Sequence, residues 1–389
     1  MSFNQYTWDL YKQTTIGIEM IKYFSDAGGY VLFKDYCPYA NFIPEDLYND
    51  WLENIYCYGV SDYDHPSLLE EAKDLYISLI TLGIRVEGQQ WLPANDFKNM
   101  LGIIQPMSYV LSQFAPEYFF PYLFLCRIFE LNKIADFFNI DLPNIPKRTD
   151  YKGRCMYYWE LCEVFYLFRK ENGLSPADLW SFLYDFAPNN LPSEKIDMPK
   201  PSQVWFIGGR LYQEDKSLES KFWQSSPETK KGDILVHYET SPISAITCIE
   251  ISLTDGVIDP LFRYYGCIYI GNRINIPHIT LKELQTDEYF FKHPLVRKNF
   301  QGVNGWSVNS ENYSELLRMI KTKGFDIEVL PKLYAPTLPK DVIIEYEHDV
   351  EQQLLEPLLN SMGWYENKDF IRQLPIQAGR GHRIFPDYA

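Results

Sequence analysis

Between residues 200 and 325, Trp205, Trp223, Tyr238 and Trp306 are the aromatic side chains that could stack on a flat ring. Thr240, Ser241, Gln301, Asn304 and Ser307 are the polar side chains that could meet the edge of such a ring. Arg210, Arg273, Arg297 and Lys298 supply positive charge for phosphates. Aromatic faces with a few polar groups are what an extruded nucleic-acid base requires, and cations fix the backbone beside it. Each residue also has a plainer reading. Trp205 opens a strand-like run and reads equally as core. Trp223 follows the charged segment 216–221 and precedes Gln224-Ser225-Ser226-Pro227, so it reads as a loop tryptophan that packing explains less well. Trp306 stands between Gly305 and Ser307, where backbone can approach a ligand closely. His237 reads as a half-buried strand residue, and Ser241-Pro242 as a turn. Gly208-Gly209-Arg210 lacks the lysine and spacing of a phosphate loop. Neither a Gly-x-Ser-x-Gly element nor zinc-ligand spacing occurs.

The bulk properties bound these options. At 389 residues, two or three domains are expected. Apolar residues make up 46% and aromatic residues 16%, enough for packed cores. Thirty-six basic residues against 52 acidic ones leave a net charge of −16, which argues against broad coating of nucleic acid but not against a local site for one base. Seven scattered cysteines without a Cys-x-x-Cys pair fit reduced thiols, and with no signal peptide visible the expected location is cytoplasmic. No apolar run is long enough to span a bilayer, so no membrane partner is expected.

Spacing predicts the elements that would position these residues. Residues 1–198 read as helical: 8–24, 66–83, 118–138 and 156–172 carry helical apolar stripes. Ser175-Pro176-Ala177-Asp178 reads as a helix start, with a capping serine, proline at the first position and an acid in the first turn. The many aromatics here read as core, because few cations are interleaved with them. Pro188 to Pro201 reads as a linker. Beyond it the pattern changes to β-branched runs at 204–209, 233–240 and 243–251, and a helix is predicted over 312–323.

The order of a Trp205 strand, a Gly232-Asp233 turn into a strand, a return strand at Ile246–Ile251 and a late Phe300-Gln301-Gly302 element resembles the EVE domains of the PUA-like superfamily. The resemblance covers about a third of the chain. It implies a small β-barrel with flanking helices that holds a flipped, often modified, base in an aromatic pocket, with the Ser241-Pro242 loop near the pocket mouth.

From Pro339 the pattern changes again. An acidic helix from Glu345 through Glu347, Asp349 and Glu351 ends at Gly363-Trp364, and Gly379-Arg380-Gly381 and Pro386-Asp387 follow. This is similar to the start of the nuclease domain of type I restriction enzyme motor subunits, of the restriction-endonuclease-like fold. The resemblance implies that Glu351 or Glu347 is the helix acid and Asp387 the strand acid of a metal-dependent phosphodiesterase. Magnesium is implied only if that site is completed, since the Glu-x-Lys strand is missing and the site at Glu351 and Asp387 would bind metal weakly. The plainer reading is a helix and hairpin packed on the preceding domain.

The expected architecture is therefore multidomain α + β. It has an all-α domain over 1–198, an EVE/PUA-like β-barrel with helices over 200–328, and a partial restriction-endonuclease-like segment over 339–389. The expected function is recognition of a modified base in DNA within a prokaryotic restriction or defence system. Two rivals stand beside it. One is a protein-interaction module with a structural barrel, in which the helical domain binds a protein partner. The other is an active nuclease completed by another chain.

Overall fold

A computed structural model of the chain describes residues 3–37, 40, 43–82, 84–86, 89–92, 96–192, 198–210, 221–334, 346–372, 376–377 and 383–384. The chain divides into two compact units, one of residues 1–194 with 258–265, the other of residues 195–257 with 266–389. The first is mainly helical and the second is built on a curled, half-barrel sheet, a mixed α + β architecture. The second unit includes both the barrel-like region and the tail, and eight residues from its middle belong to the first unit.

In the first unit the helices are α1 (Gln5–Tyr11), α2 (Thr15–Asp26), α3 (Gly29–Tyr36), α4 (Glu45–Ile55), α5 (Leu69–Leu82), α6 (Phe97–Met100), α7 (Ile104–Phe114), α8 (Ile128–Phe138), α9 (Tyr151–Glu171), α10 (Pro176–Ser181) and α11 (Ala187–Asn190). The expected helix start at Ser175 is a full capping box: Ser175 accepts from the Asp178 N–H, and the Asp178 carboxylate accepts from Ser175. A short antiparallel hairpin, β1 (Ile84–Val86) and β2 (Gln89–Leu92), interrupts the helical region.

Two expected helices are corrected. Residues 8–24 form not one helix but the end of α1 and most of α2, because Thr14 turns its hydroxyl oxygen back to cap Gly17 N at 2.9 Å. Gly17 permits this turn, since a Cβ there would stand 2.0 Å from the Tyr11 carbonyl oxygen. Residues 118–138 are helical only from Ile128. Before that, Pro116 and Pro121 keep the chain irregular although Phe119, Phe120, Tyr122, Leu123 and Phe124 are buried. Side chains satisfy this buried backbone. Tyr158 Oη donates to Phe120 O at 2.7 Å, Tyr184 Oη donates to Pro121 O, and Tyr122 N donates to Ser108 Oγ at 2.9 Å. Arg154 fastens the 258–265 segment through bonds to Pro260 O at 2.8 Å and Phe262 O at 2.7 Å.

The second unit contains β3 (Val204–Gly209), β4 (Lys221–Gln224), β5 (Ile234–Glu239), β6 (Ala245–Ser252), β7 (Gly266–Thr280) and β8 (Trp306–Val308). Their order across the sheet is β4-β7-β6-β5-β3-β8. β3 and β5 pair in parallel and the other neighbours pair antiparallel. Helices α12 (Leu281–Thr286), α13 (Pro294–Arg297) and α14 (Ser310–Thr322) bury Leu284, Leu295 and Leu316 against one face of the sheet.

The tail carries α15 (Glu347–Val350), a wide helical turn over Glu351–Leu355 and α16 (Glu356–Ser361). Gly363 stops it at φ +87°. The tail is fastened within its unit by the Lys230–Asp369 ion pair, by Lys368 to Asp255 at 2.7 Å, and by Lys230 Nζ, 4.6 Å from the Trp364 ring centre. That is the packed tail of the plainer reading. Among the described residues, no helix is long and apolar enough to cross a membrane.

Candidate functional site

Successive strand residues point to opposite sides of a sheet, and this alternation separates the candidate aromatics. Val204 and Phe206 of β3 join Ile234, Val236 and Tyr238 of β5 in the helix-covered core. Trp306 packs against that core, and Tyr238 stacks on Phe300 with ring centres 4.0 Å apart. Trp205 and Ile207 belong instead to a second cluster with Leu235, Ile268 and Ile270, and Trp223 packs against it. Trp205 and Trp223 are therefore brought together, while Tyr238 and Trp306 lie in a different cluster. One cage of all four aromatics is not formed, for this reason of strand parity.

Trp205 is 3% exposed and its indole N–H donates to Asp233 Oδ2 at 2.9 Å. Asp233 also accepts from the backbone N–H groups of Lys230 at 2.8 Å and Gln203 at 3.2 Å. Trp205 is thus a core anchor tied to the turn before β5. Gly232 makes that turn possible: its φ is +92°, and a Cβ would stand 2.5 Å from Pro199 O.

Around Trp223 a polar cluster lies on the face opposite Tyr238. β5 carries His237, and antiparallel pairing sets Cys248 of β6 opposite His237 and Glu250 opposite Leu235. His237 Nδ1 is 3.0 Å from Glu250 Oε2, and Arg273 of β7 donates its Nε to Glu250 Oε1 at 2.7 Å. The Trp223 ring meets the His237 ring edge-to-face at 4.8 Å. Gly209 leaves room for it, because a Cβ there would lie 2.5 Å from the indole. Burial alone would raise Glu250, but the hydrogen bond from His237 and the Arg273 guanidinium hold it below the ordinary carboxylate range.

An ionised Glu250 facing Nδ1 fixes the proton there, so in the neutral imidazole Nε2 is left as an acceptor. His237 Nε2 and Trp223 Nε1 are both buried and have no hydrogen-bond partner among the described residues. An unused acceptor and an unused donor thus sit on two touching rings.

His237, Cys248 and Glu250 offer ligand atoms that lie within 4.8 Å of one another, the geometry of a candidate metal centre. The charges oppose that use. Arg273 already neutralises Glu250, and burial pushes the Cys248 thiol up to about 12, away from the thiolate a metal needs. The cluster is better suited to hydrogen bonding than to cation binding.

The remaining candidates are dispersed. Asn304 clasps Gly208, accepting from its N–H at 2.8 Å and donating to its carbonyl at 3.0 Å. Its side chain is therefore committed to holding the end of β3. Ser241 is exposed, is joined to Pro242 by a cis peptide bond, and its carbonyl accepts from Arg210 Nε at 3.1 Å. Gln301, Arg297 and Lys298 are exposed beside α13. Arg210 is exposed, whereas Arg273 is drawn into the buried cluster by Glu250. Thr240 is half-buried and Ser307 exposed. Glu351 is half-buried on the wide helical turn, the Glu347 side chain and Asp387 lie outside the described residues, and so does the Gly379-Arg380-Gly381 element.

Sequence reasoning passed over Glu250 and Cys248 and gave His237 a structural role. One signal was available: Glu250 is the lone charge, between Ile249 and Ile251, in a strand of otherwise uncharged residues. A charge buried in a strand requires a partner.

No protein-family model matches the chain, and no curated protein matches it. Among solved structures it is similar to the NMR structure of Rpa0253 from Rhodopseudomonas palustris. The identity is 14% over 31% of this chain and 94% of that chain, with a TM-score of 0.27.

Proposed function

We propose that the second unit is an EVE/PUA-like reader of a modified base in DNA, acting within a prokaryotic restriction or defence system. One observation supports it above the others: Trp223 Nε1, a donor, and His237 Nε2, an acceptor, stand without a partner among the described residues, on touching rings beside the Glu250–Arg273 pair. A base edge presents donors and acceptors side by side, and a flipped base is read on that edge while its faces stack on aromatic or apolar side chains. Trp223 supplies the ring. His237, oriented by Glu250, supplies the acceptor for an exocyclic amino group. Arg210, Arg297 and Lys298 are exposed cations for the flanking phosphates.

The tail's likeness to a type I restriction nuclease adds the defence setting. Of the acids that likeness assigns, Glu351 is the one whose side chain is described, and a single carboxylate does not make a magnesium site. No cleavage step is assigned to this chain.

Base extrusion is the step to test. A duplex carrying 2-aminopurine next to 5-hydroxymethylcytosine should gain fluorescence when the chain is added, as the neighbour leaves the stack. Trp223→Ala should abolish the gain. A signal that is absent with wild-type chain, or equal in the variant, sinks the reading.

A further inference from the structure

The first unit contains a cavity of about 320 Å³, within the size range of small-molecule sites. Its walls are apolar, including Phe33, Trp51, Leu101, Ile104 and Leu125. Phe33 stacks on Tyr48 at 3.6 Å between ring centres, 11° from parallel, and so presents a flat surface. Tyr48, Gln105 and Tyr122 also line the cavity. The Tyr48 and Tyr122 hydroxyls are buried without a hydrogen-bond partner among the described residues. Buried polar groups are normally satisfied, and two around one cavity mark a place where something else satisfies them. Burial holds both tyrosines well above the usual phenol range, so both stay neutral and can donate. At the rim stands Arg263, exposed and cationic.

We infer that this cavity binds a pyrimidine nucleoside monophosphate whose ring is rich in carbonyl acceptors, of the uridine 5′-monophosphate type. The two hydroxyls can each donate to a ring carbonyl, of which a uracil-type ring presents two and a cytosine ring one. Stacking surface and apolar walls suit a flat, uncharged ring. Arg263 at the mouth suits a phosphate that stays in water. The cavity shares no residue with the base-reading face, and its test leaves that reading untouched.

Calorimetric titration of the full chain with uridine 5′-monophosphate, uridine, cytidine 5′-monophosphate and adenosine 5′-monophosphate tests the inference. The uridine nucleotide should bind most tightly, with uridine weaker. Tyr48→Phe and Tyr122→Phe should each weaken the uridine nucleotide about 5-fold, the order of one hydrogen bond, without lowering the thermal midpoint by more than a few degrees. Arg263→Ala should bring the nucleotide down to the level of uridine. No heat from any probe at millimolar concentration overturns the inference. So does binding that ignores both tyrosine variants, or equal affinity for the cytidine and uridine nucleotides.

Discussion

Two tryptophans eighteen positions apart in sequence have opposite roles at the scale of single residues. Trp205 is enclosed and bonded to Asp233, so Trp205→Ala should cost about 3–5 kcal/mol in chemical denaturation, through lost packing and one lost hydrogen bond to the Asp233 carboxylate. Trp223 is only half-buried and packs against its cluster from outside, so its alanine variant should lose DNA binding before stability. Equal stability losses would contradict this division. Asp259 gives a pH prediction. It is fully buried with Oδ2 unpartnered, and burial pushes it up to about 6 although Leu261 and Phe262 N–H groups bond its other oxygen. The folded state therefore binds its proton more tightly than the unfolded chain. Its contribution is fully present below pH 4 and is lost as pH rises through about 6, by roughly 3 kcal/mol for a shift of about two units. Asp259→Asn keeps an acceptor for the two N–H groups and removes the charge. It should flatten the stability profile between pH 4 and 7, and an unchanged profile would show that Asp259 does not set it. The sequence shows Asp259 as an ordinary acid before a proline. Its burial depends on Arg154 drawing 258–265 into the helical unit, a contact made across more than a hundred residues.

The same contrast between local and distant causes holds for the elements. The capping box at Ser175 is legible because all its parts lie within four residues. Ser175→Ala should cost about 1 kcal/mol of the first unit's stability by urea titration. Residues 115–127 are not legible in that way. Their apolar pattern suits a helix, but their conformation is set by the prolines and by hydroxyls arriving from α7, α9 and the turn after α10. For the sheet, the β-branched runs indicate strands, yet which aromatics share a face depends on parity and on the bulge beside His237 in the β5–β6 pairing. Parity is why Trp205 and Trp223 come together while Tyr238 turns away to Phe300. The turn that anchors this arrangement is testable: Gly232→Ala meets both a φ of +92° and the Pro199 carbonyl, and should destabilise the second unit by more than the about 1 kcal/mol of an unstrained glycine replacement. A neutral variant would mean the turn can move without cost.

At the scale of the whole molecule, a net charge of −16 limits how DNA can be held. Wide counterion release is unavailable to so acidic a chain, and the proposed phosphate contacts reduce to Arg210, Arg297 and Lys298. The logarithm of the binding constant should therefore fall with the logarithm of salt with a slope of about −3. A slope several times steeper would show a basic surface beyond these three cations. Affinity must then come from one base and its edge, which makes discrimination between bases the most direct test. Matched duplexes carrying cytosine, 5-methylcytosine, 5-hydroxymethylcytosine or glucosylated 5-hydroxymethylcytosine at one position should be titrated by fluorescence anisotropy against wild-type chain and Trp223→Ala. At least one modified duplex should bind about tenfold or more tightly than the cytosine duplex, a difference of about 1.4 kcal/mol, and Trp223→Ala should lose that preference. Equal binding to all four duplexes by the wild-type chain would contradict it.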